Sequence, residues 1–143
     1  MSEADRYRLR PLRDVRARDE RVKQGELAGT VGDAAATEAA LARASAVTAR
    51  AQQALDQAVA RASRSATAWE LAGHERFVAR LRAALALALD AQLRAEAAHR
   101  GTLDAVAVAR GRLAHARAHR ELIERHFERW RAERRKVAER RED

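Results

Sequence analysis

Cysteine is absent from the sequence, which excludes a disulfide framework, a thiolate nucleophile and any thiolate metal site. Proline occurs once, as Pro11, at a position where the first turn of a helix tolerates it, so the rest of the chain holds no strong helix breaker. Aromatic residues make up 3%, and with much of the apolar content being alanine, large side chains are too few to fill a compact interior. No apolar run approaches the roughly 20 residues of a membrane span; the stretch Ala83 to Leu89 is far shorter, and Met1 to Arg18 is polar and charged, without the apolar core of a secretory signal. These features predict a cytoplasmic protein. No glycine-rich phosphate loop, GxSxG elbow or HExxH motif occurs, and the carboxylates are scattered along the chain. A catalytic centre and a cofactor site are therefore not expected.

What remains is 143 residues with 47% hydrophobic and 35% charged side chains and a formal net charge of +8. Alanine and arginine, which dominate, are strong helix formers. Clustered cations would point to nucleic acid, but the arginines recur beside acids, as in Arg13-Asp14, Asp19-Glu20-Arg21 and Glu121 to Arg125. That pattern belongs to a solvated helix face with i,i+4 pairs. No nucleic-acid partner is expected, although a basic coiled coil that binds nucleic acid stays an alternative reading, as does a self-assembling structural coiled coil.

The strongest signal is a seven-residue repeat. Val78, Leu85, Gln92, His99, Val106, Leu113, Arg120, Phe127 and Arg134 mark one position, and Leu81, Ala88, Ala95, Thr102, Ala109, Ala116, Ile123, Trp130 and Val137 follow each by three. This is the spacing that keeps one stripe of a supercoiled helix facing a partner. The first half carries a thinner version, Leu27, Ala34, Leu41, Thr48, Leu55, Ala62 and Trp69, with Ala44, Ala51 and Ala58 three after their neighbours. Leu12, Val15 and Val22 lie one residue out of that register, and Gly25, Gly29 and Gly32 sit where the two stripes meet. The glycines predict a bend or local fraying there.

The fold class predicted is all-α, a long antiparallel two-helix coiled-coil hairpin in a single domain, with arm one over about 8–62, a turn over about 63–67 and arm two over about 68–141. Thr67 and Glu70 have the spacing of a capping box that opens a new helix. A turn at Gly73 and one continuous helix are the other options, and the same seams are compatible with oligomerisation into a larger helical bundle. Of the five histidines, His115 and His119 form an i,i+4 pair without a metal motif, and His99 falls on the seam as a polar interruption that helps fix register. Tyr7, Trp69, Phe77, Phe127 and Trp130 are the aromatic anchors available for a partner or for the seam.

Three segments carry a resemblance: Leu9-Arg10-Pro11-Leu12-Arg13-Asp14-Val15-Arg16, the stretch Trp69 to Leu81, and His126-Phe127-Glu128-Arg129-Trp130-Arg131. Together they resemble the type III secretion central-stalk family, the FliJ proteins of flagella and the YscO- and HrpO-like proteins of injectisomes. The resemblance implies a hairpin similar to the rotary γ subunit of F-type ATPases. It further implies a non-enzymatic stalk on the axis of a hexameric secretion ATPase that couples ATP hydrolysis to the export gate, reaching the membrane only through its partners. Export chaperones are implied as further partners, and a homo-oligomer stays open. On this basis Arg10, Leu12, Arg13 and Val15 of one arm and Phe127, Trp130, Arg131 and Arg134 of the other would meet the ATPase. Phe77, Leu81 and Ala84 match the gate-contacting pattern, while Ala88 stands where flagellar members have histidine.

Overall fold

The computed structural model describes residues 6–61 and 66–143. It shows two long helices packed against each other as an all-α hairpin, α1 (Arg10–Ala60) and α2 (Ala68–Glu142), with no strand among the described residues. Pro11 lies in the first turn of α1, which is entered through a hydrogen bond from the Arg10 amide to the Tyr7 carbonyl. Ser63, Arg64 and Ser65 of the expected turn, and the seam position Ala62, lie outside the described residues. Thr67 caps α2 as its spacing suggested. The Thr67 amide donates to Glu70 Oε2 (2.8 Å) and the Glu70 amide to Thr67 Oγ1 (3.2 Å), so each side chain satisfies an amide that has no partner inside the helix. With α1 ended at Ala60 and α2 opened at Ala68, neither a turn at Gly73 nor a continuous helix is realised.

The chain divides into two compact units, one comprising residues 1–31 with 105–143 and the other residues 32–104. In the second, Leu41, Ala44, Thr48, Ala51, Leu55 and Ala58 of α1 are sheltered, as are Val78, Leu81, Leu85, Ala88, Gln92, Ala95, His99 and Thr102 of α2. His99 does interrupt this seam: its Nδ1 is 3.0 Å from the Thr37 hydroxyl, which also meets the Thr102 hydroxyl at 2.7 Å. Polar groups that find partners only in one alignment of the arms fix register at a cost in apolar burial. Trp69 does not join the seam. It is 80% exposed, because the repeat of α1 does not carry across the turn and the register of α2 points residue 69 outward.

In the first unit Val106, Ala109, Leu113, Ala116 and Ile123 of α2 are buried as the repeat requires. The α1 side departs from expectation. Leu12, Val15 and Val22 are exposed, and no second stripe replaces the first. Instead the register of Leu27 runs back unbroken, placing Arg13, Arg16, Glu20 and Lys23 on the seam. The three glycines do not fray the helix: α1 is continuous through them, and no glycine has a positive φ. Val137, the last predicted seam position, is exposed as well, 40%.

Candidate protein-binding surfaces

Because α1 brings charged side chains to the seam of the first unit, its arms are joined by a ladder of polar contacts. Arg13 grips Glu124 with two hydrogen bonds, Nε to Oε1 (2.7 Å) and Nη2 to Oε2 (3.1 Å). This planar fork matches the carboxylate geometry. The bond from Arg13, opposed in part by desolvation, holds the Glu124 carboxyl below its usual range and raises the Arg13 guanidinium correspondingly. Arg16 Nη1 donates to His119 Nδ1 (3.0 Å), and since a guanidinium only donates, that ring nitrogen accepts. Glu20, 8% exposed, is paired with Arg120 and lies 3.4 Å from Arg117. A carboxylate this sheltered needs both cations nearby to offset its lost hydration.

The ladder ends in an aromatic cluster. Tyr7 is buried, with its hydroxyl 2.8 Å from His126 Nδ1. Its ring meets Phe127 edge-on at 5.0 Å and Trp130 at 5.1 Å, while Phe127 and Trp130 lie near-parallel at 5.8 Å. The Arg13 guanidinium sits 4.0 Å over the Phe127 ring and that of Arg131 at 5.7 Å, so the cluster has cations on its aromatic faces. Phe127 and Trp130 are therefore half-buried, partnered by Tyr7, with part of each ring still open to solvent.

Of the residues the resemblance assigns to the ATPase end, Arg13, Phe127 and Trp130 converge on this cluster. Arg10, Leu12, Val15 and Arg131 are exposed around it, and Arg134 is half-buried. Two grooves flank them, each of about 800 Å³. One is lined by Arg10, Arg13, Phe127 and Trp130 among others; the second runs along α2 through Leu122, Arg125, Arg129, Arg131 and Arg135. Sequence reasoning missed Glu20, His119, Glu124 and His126 as cross-arm partners. Glu20 was within reach, lying seven residues from both Arg13 and Leu27.

In the second unit Phe77, Leu81 and Ala84 share one flank of α2 through their i, i+4, i+7 spacing. Phe77 is 44% exposed, beside the Arg80 guanidinium at 5.9 Å, and borders a cavity of about 180 Å³ with Ala54, Ala58 and His74. Ala88 is buried in the seam and adds nothing to this flank.

Charge is unevenly shared. The first unit has 20 basic and 13 acidic residues and the second 9 and 8, so +7 of the net +8 belongs to the first. Among the described residues no group of three His, Asp or Glu side chains is placed to hold a metal ion, and no helix is long and apolar enough to cross a membrane. Compared with known proteins, the chain matches no family model, and no curated protein or solved structure matches it.

Proposed function

We propose that the chain is a non-enzymatic, cytoplasmic stalk of a type III secretion system, joining a hexameric secretion ATPase to the export gate. The observation that supports this reading is the meeting of two segments more than a hundred residues apart. Residues 9–16 and 126–131, which carry the resemblance, come together around Tyr7, Arg13, Phe127 and Trp130 in the unit that bears nearly all the net charge. Arginines beside half-open aromatic rings are the side chains that anchor protein interfaces, and a basic surface steers toward an acidic one. The ATPase would thus meet Arg10, Arg131 and Arg134 around the aromatic cluster, and the gate would meet Phe77, Leu81 and Ala84.

The test is ATPase stimulation. Reversing Arg131 and Arg134 to glutamate is expected to abolish stimulation of a secretion ATPase with helicity by circular dichroism unchanged; undiminished stimulation would sink the assignment. The excess positive charge of the first unit also favours a second reading, binding to a nucleic-acid backbone. A DNA titration separates the two, because micromolar binding at physiological salt with a steep negative salt slope belongs to the nucleic-acid reading alone.

A further inference from the structure

Over residues 88–102 the seam positions of α2 are Ala88, Gln92, Ala95, His99 and Thr102, small or polar side chains that bury little apolar area. The large apolar residues of this stretch and of the position after it lie outside the seam, with Leu89 47%, Leu93 62% and Leu103 48% exposed. They are not scattered. Leu89, Leu93, Glu96, Arg100 and Leu103 follow one another at intervals of four, three, four and three. That is a second heptad stripe, about a quarter-turn around the helix from the first, and the hairpin itself leaves it open.

We propose that this stripe is the contact with a second copy of the chain, α2 packing antiparallel on α2 about a two-fold axis between Glu96 and Arg100. A two-fold interface must be self-complementary, and the order of this stripe is. Reversal about that point sets Leu93 against the Leu103 of the other copy and Glu96 against its Arg100, each pair formed twice. In-register parallel packing would instead oppose Glu96 to Glu96 and Arg100 to Arg100, which like charges disfavour. Both charged groups are available: Glu96 accepts a hydrogen bond from Gln92 (3.2 Å), and among the described residues neither Glu96 nor Arg100 is in an ion pair. The unit that holds the stripe has a net charge of only +1, so two copies meet there with little general repulsion. A stripe at right angles to the seam is also what a helix needs to touch two neighbours, as in a four-helix arrangement. Glu96 to Arg100 and Leu93 to Leu103 together occupy only about 15 Å of helix, so the association is weak and concentration-dependent.

The experiment is sedimentation equilibrium of the full chain from about 1 to about 500 µM, with helicity checked for each variant. Wild type is expected to pass from monomer to dimer, Leu93→Gln to weaken the dimer at least tenfold, and Glu96→Arg or Arg100→Glu alone to do the same. The double exchange, Glu96→Arg with Arg100→Glu, is expected to restore dimerisation, because it inverts both charges while keeping the two-fold match. In this cysteine-free chain, Leu93→Cys mixed with Leu103→Cys is expected to give a disulfide-linked dimer under oxidation. Neither alone should, since the two copies of residue 93 would lie about 15 Å apart along the axis. A wild type that stays monomeric across the range, or a double exchange as impaired as the single ones, overturns the proposal, including when another protein is found to cover the stripe.

Discussion

The Arg13–Glu124 pair shows how one carboxylate couples the arms to pH. Its side chains are 35% and 29% exposed, so screening by water limits its worth to about 1 kcal/mol despite the two-pronged geometry. The sign follows from the direction of the shift. The folded protein holds Glu124 below the ordinary glutamate range, so its contribution is complete above that range and is lost as pH falls through the lowered value. Glu124→Gln is therefore expected to destabilise by about 0.5–1 kcal/mol at neutral pH and by progressively less as acid protonates the wild-type carboxylate. Urea melts of both proteins between pH 7 and strong acid read this directly, and a pH-independent difference would refute the electrostatic origin. Glu20 also joins the arms, from a more sheltered position, through its pairing with Arg117 and Arg120.

At the scale of the helix, α1 carries three residues it does not need. A Cβ built at Gly25, Gly29 or Gly32 meets nothing within 4 Å, and all three have ordinary helical backbone. Alanine there removes conformational freedom from the unfolded chain without strain, so each substitution is expected to stabilise by about 0.5–1 kcal/mol, measured as a rise in urea midpoint. A loss of stability would mean that α1 departs from helix at the glycines. The same segment shows where the sequence could be read and where it could not. The stripe of α2 from Val78 to Trp130 was legible because apolar residues at a fixed spacing have one helical interpretation, and the Thr67–Glu70 cap because its geometry is local. Arg13, Arg16, Glu20 and Lys23 were hidden because hydrophobicity alone identifies seam positions only when the seam is apolar. Leu12, Val15 and Val22 then drew the stripe to the wrong face. The aromatic cluster was half legible: Phe127 and Trp130 stood on the repeat, but nothing local joined them to Tyr7, since that contact depends on how the arms are aligned.

For the whole molecule, the thinness of the seam sets how unfolding responds to denaturant. The chain exposes 10981 Å², where a compact monomer of its mass would expose about 7300 Å² and its unfolded form about 23,000 Å². No described side chain falls below 2% exposure, so nothing resembles the interior of a globular domain. Unfolding then uncovers about 12,000 Å² rather than about 16,000 Å², and both the urea dependence of stability and the heat-capacity change scale with that area. The urea m-value is accordingly expected to be about a quarter below that of a compact protein of the same length, measured by circular dichroism at low micromolar concentration, where the weak α2–α2 contact is dissociated. At concentrations that populate the dimer, the midpoint is expected to rise, because a second copy binds the folded chain and not the unfolded one. An m-value matching a compact protein at low concentration would mean that the arms bury far more than their small, partly charged seams provide, and the two-helix account would fail with it.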